Sequence, residues 1–207
     1  MKIEVLEKEN GKIKFALEES TPAFANALRR IMISEVPTIA IEDVEFFENN
    51  SALYDEIVAH RLSLIPITTD LKAYNFQSDC TCKGKGCSNC TVTFALSKKG
   101  PGTVYSGDLK SSDKDAVPAD SAIPIVKLRE GQKVKLEATA ILGKGKEHAK
   151  FQPGVISYSY AEEKGKHRDD KFIFTVESNG SLKPEQIIQQ AAKILASKAK
   201  EFGKEVK

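Results

Sequence analysis

The first apolar pattern at helical spacing begins at Thr21, a residue type that caps helices, and Pro22, whose missing N–H is not needed at the first helical position. The helix is predicted to end at Glu35, because Val36 precedes a proline and is disfavoured in the α region. At about 100° per residue its apolar side chains span roughly 160°; they are Phe24, Ala25, Ala27, Leu28, Ile31 and Met32. This arc is wider than the roughly 100° needed to pack on one core, so the helix is predicted to contact a partner as well as its own domain.

The C-terminal segment repeats this pattern from Pro184 to Phe202. Its apolar arc also spans about 160° and is interrupted only by Lys198; its members are Ile187, Ile188, Ala191, Ala192, Ile194, Leu195, Ala199 and Phe202. Two helices with such wide faces would suit a four-helix contact with a similar pair from a partner chain. The alternative is that both arcs are satisfied inside this chain.

Alternating apolar and polar positions predict several strands. Residues 2–17 alternate on both sides of Asn10 and Gly11, which is typical of a hairpin with one buried face. Further strands are predicted at 39–46, 91–96, 134–142, 155–160 and 171–177, and a second helix at 53–64. The polar residues 48–51 are predicted to cap that helix, and the turn-rich stretch 106–120 to form an exposed loop. Antiparallel strands with three helices define the α+β class.

Composition narrows the class of protein. The chain has 207 residues, enough for one domain or two small ones, with 41% hydrophobic and 29% charged side chains. Its 31 basic and 29 acidic residues give a formal net charge of +2, which argues against a dedicated nucleic-acid or membrane-surface binder. There is no apolar run of about 18 residues and the N-terminus is charged, so a cytoplasmic location is expected.

All four cysteines lie within eleven residues, in the arrangement Cys80-x-Cys82-x4-Cys87-x2-Cys90. Four soft thiolates on a short loop suit a tetrahedral Zn²⁺ site, and the glycines between them let the backbone fold round an ion. With four protein ligands no position is open for a water nucleophile, so the predicted role of the zinc is structural.

Two other interpretations of the cysteines stay open. A pair of disulfides is one, because intracellular proteins of hyperthermophiles do form them. An iron–sulfur cluster is the other, although the spacing fits neither common ferredoxin run. Zinc is favoured, since clustered cysteines in a chain of balanced charge point to a metal before disulfides.

The sequence shows no catalytic motif. The three histidines, His60, His148 and His167, form no local pair with one another or with the cysteines. There is no nucleophile motif, paired-carboxylate signature or dinucleotide loop, and the Gly-Lys-Gly at 143–145 lacks P-loop spacing. We therefore expect no catalytic residue and no cofactor-binding residue other than the cysteines.

Two stretches carry a resemblance to a known family. The stretches NALRRIMISEVPTIAIEDVEF, residues 26–46, and LYDEIVAHRLSLIPI, residues 53–67, resemble the assembly segment of the alpha-like subunits of cellular RNA polymerases. The resemblance is to the archaeal D-type subunits in particular, which are related to the third-largest subunit of eukaryotic polymerase II and to bacterial alpha.

This resemblance implies an alpha-like fold in two parts. Residues 1–45 and 152–207 would form a discontinuous dimerisation domain of antiparallel sheet plus helices, and residues 46–151 an inserted, mostly β domain that contains the cysteine loop 80–90. Some relatives carry an additional cysteine-rich domain with iron–sulfur clusters near residues 161–170. Here that place holds only a short charged connection, so no iron–sulfur cluster is expected.

The resemblance also implies a function. The chain would be a non-catalytic assembly platform of DNA-directed RNA polymerase, since the catalytic magnesium carboxylates of the family belong to the two largest subunits. It would pair with a smaller alpha-like subunit of the L type and recruit the second-largest, B-type subunit and a small N-type subunit. Little direct contact with nucleic acid, and none with a membrane, is expected.

Residue roles follow from the two apolar arcs and the resemblance together. Arg29 and Arg30 lie off the apolar arc, and the matching pair in the family lies near the contact with the second-largest subunit. The residues predicted to bind partners are Phe24, Leu28, Arg29, Arg30, Ile31, Met32, Ile187, Ile188, Ala191, Ile194, Leu195 and Phe202.

The resemblance also bears on the cysteines. The similar loop of the eukaryotic relative is a zinc site with spacing C-x-C-x3-C-x2-C, one residue shorter than here.

Two alternative functions come from other classes. A zinc-containing nucleic-acid-binding module would show a steep salt dependence of DNA binding, but a basic face studded with aromatic residues is lacking. A homodimer resembling bacterial alpha would self-associate without a second kind of subunit.

Overall fold

The computed structural model describes residues 1–163 and 165–206. In chain order its strands and α-helices are β1 (Lys2–Glu9), β2 (Lys12–Glu18), α1 (Pro22–Ser34), β3 (Pro37–Asn49), α2 (Asp55–Ser63), β4 (Thr91–Lys99), β5 (Gly102–Tyr105), β6 (Lys110–Ser111), β7 (Pro124–Leu128), β8 (Lys133–Lys144), β9 (Gly154–Glu163), β10 (Lys166–Ser178) and α3 (Pro184–Glu205). Antiparallel sheets with three α-helices in this described part confirm the predicted α+β class.

The chain divides into two compact units. The first is made by both ends, Met1–Val36 and the chain from Lys144 onward, and the second by Pro37–Gly143. The boundaries predicted from the sequence lie after residues 45 and 151, nine and eight residues beyond those of the structure, which follow Val36 and Gly143. Because β3 and β8 are neighbours in one sheet, β3 belongs as a whole to the second unit together with nearly all of β8.

The first unit is a four-stranded antiparallel sheet in the order β1-β2-β10-β9, with two helices against it. Helix α1 contacts β9, β10 and α3, and α3 also contacts β2 and β10. Large side chains that are less than 2% exposed in this unit include Leu17, Met32, Phe172 and Phe174. The apolar positions of β2, α1 and β10 therefore form one core.

The predicted hairpin at the N-terminus is confirmed. Strands β1 and β2 pair through a turn at Asn10 and Gly11, where Gly11 adopts a φ of +79° that glycine reaches without a steric penalty. The apolar residues of β1, however, are not covered within the chain. Ile3 and Val5 keep 62% and 56% of their surface exposed, so the predicted buried face holds for β2 alone.

Helix α1 begins and ends where the sequence predicts. The Thr21 hydroxyl accepts a hydrogen bond from the Phe24 N–H at 3.3 Å, and Pro22 occupies the first turn. At the other end Glu35 is the C-cap, and its N–H donates to the Ile31 carbonyl at 3.0 Å. A side-chain cap and a proline thus fix the start of the helix, and the Val36-Pro37 pair that follows Glu35 accounts for its end.

The second unit holds a sheet in the order β3-β8-β4-β6 and a two-stranded sheet of β5 and β7. Helix α2 packs on β3 and β7 through the buried side chains of Val58 and Leu62. The predicted side-chain cap from residues 48–51 is wrong, because Tyr54 is the N-cap and has no side-chain cap. The Asn49 amide donates to the Leu53 carbonyl and to Asp55 instead.

The prediction of an exposed loop at 106–120 holds only in part, because three of its residues are buried while the others are exposed or half-buried. This stretch contains a helical turn at residues 106–108 and the short strand β6, and Ser106, Leu109 and Ala116 are buried. The Ser106 hydroxyl donates to the Asp120 carbonyl at 2.5 Å and accepts from the Ile123 N–H at 3.1 Å. The buried Ser106 hydroxyl thus has one acceptor and one donor as partners, and these hydrogen bonds hold the start of the stretch against its end.

The charged connection 161–170 continues the hairpin of β9 and β10. Its pairing shifts between Arg168 and Phe172. Arg168 binds Asp170 at 2.6 Å and Glu163 at 2.9 Å, and Lys164 lies outside the described residues.

Across the described ranges, no helix has both the length and the apolar character that crossing a membrane requires.

Candidate functional site

An open apolar groove of about 500 Å³ lies on the first unit. It is built from four elements of that unit: β1, β2, α1 and α3. Its walls include Ile3 and Val5 of β1, Phe15 and Leu17 of β2, Phe24 and Leu28 of α1, and Ile188 and Leu195 of α3. Because the walls come from both ends of the chain, the groove exists only when the first unit is folded.

The α3 side of the groove is lined with small side chains. Ala192, Ala196 and Ala199 lie between the larger residues of this helix. Small residues let a neighbouring helix approach closely, whereas burial of each large apolar side chain contributes roughly 1.5–3 kcal/mol. The groove is therefore lined on this side by small apolar side chains that leave room between the larger ones.

Four of the residues predicted to bind partners line this groove: Phe24, Leu28, Ile188 and Leu195. Four others are buried within the chain, and these are Ile31, Met32, Ile187 and Ala191. Ile194 is half-buried. Phe202 is 72% exposed near the end of α3.

The two predicted arginines of α1 lie apart from the buried face of the helix. The Arg29 guanidinium donates to the Asn26 side chain at 3.3 Å and is half-buried. Arg30 is exposed. Guanidinium groups in such positions are available for bidentate pairing with carboxylates of another chain.

The β side of the groove was not among the predicted site residues. Ile3, Val5, Phe15 and Leu17 follow the strand alternation that is visible in the sequence, but alternation does not tell which face another layer covers. The useful signal was that β1 is the first strand of the chain and that five of its eight residues are charged, as is typical of an edge strand.

The second candidate site is the cysteine cluster of the second unit. The four Sγ atoms lie within 4.8 Å of one another, with Cys80–Cys87 and Cys82–Cys90 at 3.5 Å and Cys87–Cys90 at 3.8 Å. Four sulfurs held about 2.3 Å from one zinc ion form a tetrahedron with edges of about 3.8 Å. A disulfide would need about 2.05 Å, so the arrangement fits a single ion held by four thiolates.

The loop around the cysteines owes its shape to residues in left-handed conformations. Lys83, Gly84 and Gly86 have φ values of +55°, +78° and +81°, of which the two glycines are unstrained. On the other side of the cluster, the N–H groups of Cys90 and Thr91 donate to the Cys87 carbonyl at 2.9 Å each. The turns bring all four thiols to one point.

The thiols differ in acidity because their surroundings differ. Burial alone would raise the pKa of Cys82, but hydrogen bonds from the Cys80, Cys90 and Cys87 thiols bring it down to about 7. Burial raises the pKa of Cys90 to about 12. A bound cation would favour the thiolate form of all four, since metals bind thiolates.

Comparison with known proteins identifies the chain. Residues 39–158 match the RNA polymerase Rpb3/RpoA insert domain, which covers more than half of the chain and defines an alpha-like subunit of RNA polymerase. Over its whole length the chain is similar to subunits named DNA-directed RNA polymerase subunit Rpo3. The Archaeoglobus fulgidus subunit is 38% identical over 98% of this chain and 96% of the relative, and the Pyrococcus furiosus subunit is 39% identical over 98% and 95%.

A third relative, from Methanosarcina mazei, is 51% identical over 75% of this chain and 59% of the relative. The chain therefore belongs to the Rpo3 family of archaeal DNA-directed RNA polymerase subunits. The alignment with the A. fulgidus subunit is 254 positions long whereas this chain has 207 residues, so that relative carries residues without a counterpart here. A member of this family is a subunit of the polymerase rather than its catalytic centre.

Proposed function

We propose that the first unit is the dimerisation domain of a polymerase assembly platform, and that its groove docks a smaller alpha-like subunit of the L type. The observation that carries this proposal is the apolar groove between β1 and α3, whose walls no other element of the first unit covers among the described residues. A partner with a similar pair of helices would bury Ile188 and Leu195 against its own apolar side chains.

Co-expression tests this proposal directly. The chain is expressed with the L-type subunit of the same organism, and the mass of the purified product is measured by light scattering. A one-to-one heterodimer is expected. A stable homodimer in the presence of the L-type subunit would replace the proposal with self-association of the kind found in bacterial alpha.

We further propose that the heterodimer recruits the second-largest, B-type subunit through Arg29 and Arg30, and that a small N-type subunit joins the same assembly. Exposed or half-exposed guanidinium groups on α1 support the first contact, since they can form bidentate pairs with carboxylates. The complex would act in the cytoplasm.

For the second unit we propose a structural zinc ion held by Cys80, Cys82, Cys87 and Cys90. Four thiols at tetrahedral spacing support it, and closure of the loop by an ion would stabilise the unit locally. The alternative of a zinc-containing nucleic-acid-binding module is not favoured, because the formal net charge is only +2.

A further inference from the structure

The long C-terminal helix is anchored by burial at one end only. Helix α3 has 22 residues and is about 33 Å long, but its buried residues are Pro184, Ile187 and Ala191. Among the described residues of α3, none beyond Ala191 is buried. The part from Ala192 onward nevertheless forms one wall of the groove, and within the described chain it is held only by the half-buried Ile194 and Leu195 and by polar contacts.

Lys198 lies in this weakly anchored part and interrupts its apolar arc. The Lys198 ammonium binds Oε1 of Glu35, the C-cap of α1, at 2.9 Å. The Glu35 side chain is only 14% exposed, and its Oε2 faces the ammonium groups of Lys146 at 3.8 Å and Lys144 at 4.0 Å. One carboxylate thus connects α1, α3 and the turn after β8.

The position of Glu35 is fixed by its backbone surroundings. The Lys146 N–H donates to the Ser34 carbonyl at 3.0 Å. Gly145 approaches so closely that a Cβ there would lie 2.2 Å from the Ile33 carbonyl oxygen, and no side chain can occupy that position. The end of α1 is therefore held against residues 144–146, and Glu35 offers Lys198 a rigid anchor.

We propose that Glu35 is a positioning residue for partner binding: through Lys198 it holds the weakly buried part of α3 beside α1 and so fixes the width of the groove. This inference rests on the proposed docking function of the groove. A groove held in its binding shape before the partner arrives binds more tightly, because less conformational freedom is lost on association.

A second ion pair at the other end of α3 provides the matched control. Lys8 of β1 binds Glu185 at 2.7 Å, next to the part of α3 that Ile187 and Ala191 already anchor by burial. Removal of the Lys8 charge should leave the helix in place. The two pairs have similar distances but differ in whether burial supports the helix beside them.

The first arm of the test needs no partner. Amide hydrogen exchange is measured on the wild-type chain and on Glu35→Gln, Lys198→Gln, Lys198→Arg and Lys8→Gln. The two Gln variants at positions 35 and 198 should exchange about three- to fivefold faster over residues 192–204, and not over 184–191. Lys198→Arg, which keeps the charge, and Lys8→Gln should match the wild type.

The second arm measures the dissociation constant for the L-type subunit of the same organism. Glu35→Gln and Lys198→Gln should weaken binding about three- to fivefold, while Lys198→Arg and Lys8→Gln should not. A wild-type chain that fails to bind this subunit would overturn the proposed docking function, and the exchange data alone would then decide the role of Glu35. Unchanged exchange over 192–204 in both Gln variants, or equal loss of binding in Lys8→Gln, would overturn the inference.

Discussion

Phe15 of β2 stacks on Phe174 of β10, with ring centroids 5.0 Å apart and planes within 3° of parallel. The two residues are direct cross-strand partners, and both are buried. Phe15 also lines the groove. The floor of the proposed docking site is thus part of the folded core of the first unit, so the groove is present before any partner binds.

The cysteine cluster should hold about one zinc ion per chain. Metal analysis of untagged protein by mass spectrometry tests this, with Cys82→Ser as the variant that removes one ligand and Ser88→Ala as a control within the same loop. Cys82→Ser should lose the metal and lower the melting temperature of the second unit, while heterodimer formation persists. Stoichiometric iron, or metal-free protein with oxidised cysteines, would contradict the zinc assignment.

Arg30→Ala should weaken recruitment of the second-largest subunit and leave the heterodimer intact. The reason is that Arg30 is exposed on α1 and takes no part in the buried face of that helix. Pull-down of the B-type subunit by the purified heterodimer measures the effect. Arg129→Ala, which removes an exposed arginine in the second unit, is the control. Equal recruitment by both variants would show that Arg30 does not contribute to binding of the B-type subunit.

The contribution of Glu35 to stability should depend on pH. The hydrogen bond from Lys198, together with the charges of Lys198, Lys146 and Lys144, lowers the pKa of Glu35 below its ordinary value of 4.5 despite partial burial. A carboxyl group with a lowered pKa in the folded state stabilises above its unfolded pKa, and this contribution is lost as the pH falls through the folded value.

Wild type and Glu35→Gln should therefore differ in melting temperature at pH 7 and converge as the pH falls below 4.5. Melting temperatures measured at about five pH values between pH 3 and pH 7 are sufficient to follow this change. Glu56→Gln, at an exposed position of α2, controls for the general effect of removing an acid. A difference between wild type and Glu35→Gln that stays constant over this range would contradict the assigned role of the carboxylate.

The sequence predicted those parts of the fold that depend on local interactions. Thr21 and Pro22 define the start of α1, and Asn10 and Gly11 define the first turn, because caps and tight turns need particular residue types. The cysteine spacing likewise singled out four thiols that the structure brings within 4.8 Å of one another.

What the sequence did not predict depends on which surfaces meet. Ile187 and Ile188 are adjacent and equally apolar, yet Ile187 is fully buried and Ile188 lines the groove, since the side to which a wide arc turns is decided by tertiary packing. Ser106 lies in a polar stretch but is buried through long-range hydrogen bonds. Lys198 interrupts an apolar arc because it pairs with Glu35, and the sequence pattern alone does not show this contact.

The measurement that tests the account most directly is binding of the L-type subunit by Ile188→Asp/Leu195→Asp, with Lys193→Asp as the control at an exposed position of α3 that does not line the groove. Both groove positions are only partly buried, so the double variant should fold with a wild-type circular dichroism spectrum. Two carboxylates in an apolar interface cost several kcal/mol, and binding in titration calorimetry should weaken by roughly a hundredfold or more. Wild-type affinity in the double variant would contradict docking in the groove.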